Sequence, residues 1–153
     1  MPIRLSDEAR RLLAAFTEET GVTASDCLVE DGTVTFVVPP GDMAIAIGRD
    51  GEQVEVLEAR LDRSVVLIAD ADRPAAFVAN ALAPAAVYEV TLTDDEQPTA
   101  IAAVDPVDMG VAIGREGRRV ERARRLAARH FDIADVRVVE AADLPGDGGK
   151  DDD

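Results

Sequence analysis

Residues 42–51 read Asp42-Met43-Ala44-Ile45-Ala46-Ile47-Gly48-Arg49-Asp50-Gly51, and residues 108–117 read Asp108-Met109-Gly110-Val111-Ala112-Ile113-Gly114-Arg115-Glu116-Gly117. The stretches lie 66 residues apart and differ only at Ala44/Gly110, Ile45/Val111 and Asp50/Glu116. The match extends outward to Pro40/Pro106, Val54/Val120 and Glu55/Glu121. A repeat this dense at a fixed spacing marks two copies of one structural unit.

The flanks repeat too. Leu5, Ala9, Leu12, Leu13 and Phe16 recur at helical spacing, and Gly21 supplies a stop. Val22–Val29 reads as a strand, Asp31-Gly32 as a turn, and Thr33–Val38 as a second strand with Val34, Phe36 and Val38 on one face. Pro39-Pro40-Gly41 ends it. A short apolar helix, Met43–Ile47, leads into Gly48–Gly51. A second helix carries Val54, Leu57 and Leu61 on its inner face, and Val65–Ile68 is the last strand. The second copy predicts a helix over Ala75–Leu82 and a strand over Val87–Thr93, with Tyr88, Val90 and Leu92 alternating against Glu89, Thr91 and Thr93. An acidic turn at Asp94–Pro98, the strand Thr99–Val104, the helix Val107–Ile113, the loop Gly114–Gly117, a helix to about His130 and the strand Val136–Val139 follow. Each unit is α-β-β-α-α-β, an α+β fold in which a three-stranded sheet packs on helices. The boundaries are 1–72 for the first unit, 73–141 for the second and 142–153 for a disordered acidic tail.

Composition limits what the units can be. Hydrophobic residues make up 47% of the 153 residues and Trp is absent, so the cores are aliphatic. The formal net charge is −15, yet 15 of the 16 basic residues are Arg, and Lys150 is the one Lys. Many acids with almost no Lys resembles proteins from salt-accumulating (halophilic) microbes, where an acidic coat keeps a protein hydrated. An ordinary acidic protein with cationic partners is the other reading. A single cysteine, Cys27, excludes an intrachain disulfide and reads as a small buried residue. No signal peptide and no run of 18 apolar residues is present, so a cytoplasmic protein without a membrane partner is expected.

Two helices joined by Gly-x-x-Gly and preceded by Ala-Ile resemble the KH domain, and the element order resembles its type II form. A lone Gly-x-x-Gly is equally a tight helix connection; two copies in one order of elements favour the KH reading. The resemblance implies a loop that clamps the backbone of about four nucleotides of single-stranded RNA. It implies RNA-binding roles for Ile47, Gly48, Arg49, Asp50 and Gly51, and for Ile113, Gly114, Arg115, Glu116 and Gly117. The isoleucines would form an apolar floor for bases, and the arginines would contact phosphate or stack on a base. Tandem type II units with almost nothing else resemble the archaeal NusA family, over about residues 3–140. That resemblance implies a monomer acting in transcription termination or elongation control, with single-stranded RNA and RNA polymerase as partners and no cofactor. The acid in each loop, Asp50 or Glu116, departs from the often basic KH loop.

The copies differ in charge. Residues 1–74 carry a net −8 and residues 75–140 a net −3. Arg118, Arg122, Arg125 and Arg129 fall at steps that put them on one helix face, with Arg119 beside the loop. The aligned first-copy residues are Glu52, Val56, Ala59, Arg63 and, for Arg119, Gln53. Arg118, Arg119 and Arg122 therefore join the candidate RNA-binding set; a solvated face paired with Glu116 and Glu121 is the alternative. His130 reads as a polar helix end, Met43 and Met109 as core, and Asp94–Glu96 as a solvated turn. One His, one Cys and no catalytic motif argue against an enzyme. An interaction module binding polymerase or ribosomal components is the remaining class.

Overall fold

A computed structural model describes residues 6–143; Leu5 and residues 144–153 of the expected acidic tail lie outside the described residues. The chain divides into two compact units at Ala71/Asp72.

The first unit opens with α1 (Asp7–Thr20). Ser6 caps it, its hydroxyl accepting from the Ala9 N–H at 3.0 Å, and Gly21 closes it at φ 76°. The apolar stripe puts Ala9, Leu12 and Phe16 inside, with Leu13 partly buried against the same core. The sheet order is β1 (Asp26–Glu30), β2 (Thr33–Val38), β3 (Ser64–Ala69), with β1/β2 antiparallel and β2/β3 parallel. Parallel pairing requires a crossover, and α2 (Met43–Ile47) with α3 (Glu52–Leu61) supplies it. The first strand begins later than the apolar run predicts. The Thr20 hydroxyl donates to the Phe16 carbonyl and accepts from the Val22 N–H, holding the chain in a turn where Val22 and Ala24 are buried but not paired as strand. Cys27 is buried, as its apolar setting implies.

The second unit repeats the plan: α4 (Pro74–Ala81), β4 (Val87–Leu92), β5 (Thr99–Val104), α5 (Met109–Ile113), α6 (Arg118–Phe131) and β6 (Asp135–Glu140), with sheet order β4-β5-β6. Pro74 sits in the first turn of α4, where its missing N–H costs nothing. Ala100, Ala102, Ala103 and Val104 of the central strand are fully buried. Phe77 packs against His130 and Phe131 of α6, both at ring-centroid distances of 5.3 Å, so His130 is a packing partner as well as a helix-end residue. Met43 and Met109 pack against their units' cores.

Tyr88 departs from the alternation read in the sequence. The register shifts between Val87 and Glu89, and this bulge turns Tyr88 outward to 63% exposure. Its hydroxyl donates to Asp105 at 2.8 Å.

Phe16 and Phe36 stack at 4.4 Å in the centre of the first core, and both are fully buried. Phe16→Ala should cost about 3–5 kcal/mol. Far-UV circular dichroism in graded KCl should show the variant unfolding at higher salt and lower temperature than the parent. Equal stability would contradict the packing described here.

Candidate nucleic-acid interface

Each unit brings its loop together from the end of one short helix and the start of the next. Gly48 has φ 79° and ψ 171°, and Gly114 has φ 83° and ψ 168°. Asp50 (φ 56°) and Glu116 (φ 57°) then take the left-handed conformation, followed by Gly51 (φ 77°) and Gly117 (φ 74°). The two loops thus share one backbone path, differing by no more than 4° at these φ angles (79° against 83°).

The two glycines of a loop do different work. A β-carbon at Gly48 would lie 2.6 Å from Gln53 Cγ and 2.9 Å from its backbone nitrogen; one at Gly114 would lie 2.7 Å from the Arg119 backbone nitrogen. The first glycine lets the next helix start directly against the loop. At Gly51 and Gly117 a β-carbon meets nothing within 4 Å. That side is open, so a ligand backbone can come close to the helix start. A non-glycine residue in the left-handed region, as at Asp50 and Glu116, costs about 1–2 kcal/mol, and both side chains are exposed.

The helix starts are themselves the main polar feature. Ser6 caps α1 with its side chain, but α3 and α6 begin after Gly51 and Gly117 with no side-chain cap. The Glu52 and Arg118 N–H groups donate to the Arg49 and Arg115 carbonyls in the turn before each helix, so what each helix start offers an anion is its positive dipole end and the N–H groups that follow. Arg49 and Arg115 are exposed beside them. In the second unit Arg118 occupies the first turn of α6, where a cation opposes the dipole. It pairs with Glu116 at 3.1 Å, both side chains well exposed, so the pair contributes little stability.

Next to each loop lies an apolar strip. In α2 the small Ala46 is fully buried while Ile45 (57%) and Ile47 (36%) are exposed; in α5 Ala112 is buried while Val111 (37%) and Ile113 (38%) are exposed. Large apolar side chains outside and alanine inside, in both copies, mark a contact surface rather than a core face. In the second unit a cleft of about 300 Å³ opens beside the loop, lined by Ile113, Val120, Arg124, Arg137 and Val138. Arg124, Val120, Arg137 and Val138 escaped the sequence reading, because the contact depends on which strand lies beside α6. The contact of α6 with β6, where Arg124 donates to Asp135 and to the Val136 carbonyl, settles that.

Two expectations for the basic helix need correction. Arg122 is buried, at 7% exposure, and does not present its guanidinium to solvent. The arginine spacing identifies one face of α6 but not whether that face is covered. Arg63 does not correspond to Arg129: α3 ends at Leu61 and α6, with 14 residues against 10, continues one turn further. Arg63 lies beyond its helix and pairs with Glu8 at 2.6 Å. Arg119 is also committed. Its Nη1 donates to the Val111 carbonyl at 2.5 Å, tying α6 to α5 across the loop, while burial and then Arg122 lower its pKa. The matching Gln53 donates instead to the Glu19 carbonyl at 3.1 Å. Arg125, at 52% side-chain exposure, pairs with Glu121 at 3.5 Å, so Arg118 and Arg125 are both exposed and each is paired with an acid. Asp95 in the acidic turn accepts from the Gln97 N–H at 3.1 Å. Among the described residues no group of His, Cys, Asp and Glu could hold a metal ion, and no helix is long and apolar enough to cross a membrane.

The glycine geometry gives a direct test. Gly114→Ala should lower stability by about 1–3 kcal/mol through clash and left-handed strain. Gly117→Ala should cost less, since only its φ opposes a side chain. Denaturant midpoints of the two variants check the order, and the reverse order would contradict the close approach at Gly114.

Comparison with known proteins agrees with this geometry. Residues 8–72 match the KH domain family and residues 74–141 match the NusA-like second KH domain family. The chain is 54% identical over 139 residues to the probable transcription termination protein NusA of Halobacterium salinarum, covering 91% of this chain and all of that one. It is 51% identical to the protein of that name from Halococcus morrhuae, with the same coverage, and 28% identical to that of Methanocaldococcus jannaschii over 90% of this chain and 75% of that one. A solved structure, described as the crystal structure of APE1850, superposes with a TM-score of 0.78 at 25% identity, covering 88% of this chain and all of that one. The chain therefore belongs to the NusA family, with two tandem KH domains.

Proposed function

We propose that the protein binds single-stranded RNA through both KH units and acts in transcription termination or elongation control. The observation that carries this reading is the pair of superimposable loops, each with a side-chain-uncapped helix start on one flank and exposed isoleucine on the other. A phosphodiester backbone needs N–H donors and close approach; bases need apolar surface to stack on. Each loop offers both within a few residues.

In this reading Gly48, Gly51, Gly114 and Gly117 admit the sugar-phosphate chain, and Arg49, Arg115 and Arg118 reach its phosphates. Ile47 and Ile113 carry bases. Asp50 and Glu116 point to solvent and set the left-handed turn. Arg119 and Arg122 shape the loop and helix rather than grip phosphate, and the domains spanning 1–72 and 73–141 act together. The protein works as a binding factor without catalysis, as a monomer in the cytoplasm, with RNA polymerase as its protein partner. The relatives' name as transcription termination proteins supports this role.

One observation favours a second reading for the first unit. Its helix α3 opens with Glu52 and Glu55, which suits a protein surface better than phosphate. The first unit would then dock polymerase while the second holds RNA. Polymerase captured from lysate after RNase treatment, and lost on Glu52→Lys, would support that division.

Fluorescence anisotropy with short single-stranded RNAs in concentrated KCl tests the main reading. Arg49 and Arg115 are exposed, so Arg49→Asp and Arg115→Asp leave the fold intact. Each should weaken binding about tenfold or more, the value of a lost charge-assisted hydrogen bond, and the double variant should abolish it. Unchanged affinity in the double variant would refute the loop clamp.

A further inference from the structure

The two grooves can be compared residue by residue once the strands are aligned through their sheets. Thr33 pairs with Ser64 as Thr99 pairs with Asp135, so Val65 corresponds to Val136 and Val66 to Arg137. On the helix side, Glu58 of α3 corresponds to Arg124 of α6 by the 66-residue repeat.

The wall polarity reverses between the copies at matched positions. In the first unit the Glu58 carboxylate accepts from the Val65 N–H at 3.0 Å. In the second, Arg124 Nε donates to the Val136 carbonyl at 3.2 Å and to Asp135 at 2.7 Å. A carboxylate touching the strand is replaced by a guanidinium touching the same strand position. Glu121, at 3.1 Å, also holds Arg124. Arg124 is therefore fixed as part of the wall. Arg137, exposed on the edge strand β6, stands at the same cleft, where the first unit has Val66.

From this we infer that the second unit's groove discriminates between bases, with Arg137 as the specificity-determining residue, and that it selects a base edge carrying two adjacent acceptors. The inference rests on the RNA-binding reading above. A guanidinium is a planar fork with no acceptor. It matches O6/N7 of guanine or O2/N3 of cytosine. It mismatches adenine and uracil, whose edges place a donor next to an acceptor. Ile113, Val120 and Val138 give the base its apolar surface. The cleft of about 300 Å³ has room for a single base. The first unit, with Val66 and Glu58 at these positions, lacks the fork and does not make this selection.

The test uses the full chain and four RNAs of one length, an oligouridine and three versions with a single central adenine, guanine or cytosine, measured by anisotropy in concentrated KCl. The guanine or cytosine version should bind at least about fivefold tighter than the other two, the usual value of a bidentate base contact, and the stronger of the pair identifies the edge. Arg137→Val, which installs the first unit's residue on a strand that tolerates it, should erase the difference, lowering affinity for the preferred RNA at least about fivefold more than for oligouridine. Arg137→Lys keeps the charge but not the fork and should also erase it. Wild-type binding without base preference would overturn the inference and leave the clamp standing. So would a loss in Arg137→Val that is equal for all four RNAs, because it would make Arg137 a phosphate contact. Failure of wild type to bind any of the four would instead overturn the RNA-binding reading.

Discussion

A β-carbon at position 48 or 114 would stand within 2.9 Å of the backbone nitrogen five residues on, so the two crossover helices of each unit can meet only across a glycine. That constraint fixes the rest of the site. Because the helix starts directly against the loop, no side chain caps it, and its positive dipole end lies at the loop. Because the preceding helix is one short turn with a buried alanine, its isoleucines stand outside beside that end. The parallel pairing of the last strand with the middle one then closes the groove's far wall. Dipole end, apolar floor and wall all follow from one close approach.

Acidity shapes how such a site works. At a net charge of −15 the chain repels RNA at long range in dilute salt. The Debye length falls to ~3 Å at 1 M salt, so in concentrated salt only groups in direct contact count. A site made of backbone donors, close approach and apolar surface suits that regime better than a broad basic patch. The acids inside the loops, Asp50 and Glu116, are tolerable for the same reason. The relatives from Halobacterium and Halococcus fit the reading of the acid-rich, lysine-poor composition as halophilic.

The fold was legible because the 66-residue repeat let each copy check the other, and the α-β-β-α-α-β order stands in both units. The loops were legible because glycine at both ends of a helix junction leaves few alternatives. What escaped depended on contacts between distant residues. Arginine spacing along α6 could not reveal that Arg122 is covered, nor that Arg119 is spent on the Val111 carbonyl. An ungapped alignment carried Arg63 onto Arg129, although the extra turn of α6 breaks the correspondence. Tyr88 followed a strict alternation until the bulge turned it outward. Arg124 and Arg137 joined the site only through the contact of α6 with β6.

Amide chemical-shift mapping of the full chain with a short single-stranded RNA, in concentrated KCl, tests the central claim most directly. The account predicts the largest shifts at the N–H groups of Gly48–Gln53 and Gly114–Arg119, with the methyls of Ile47 and Ile113 moving alongside them. Shifts confined to other surfaces, such as β1 or β4, or shifts that leave both loop-to-helix junctions unmoved, would contradict it.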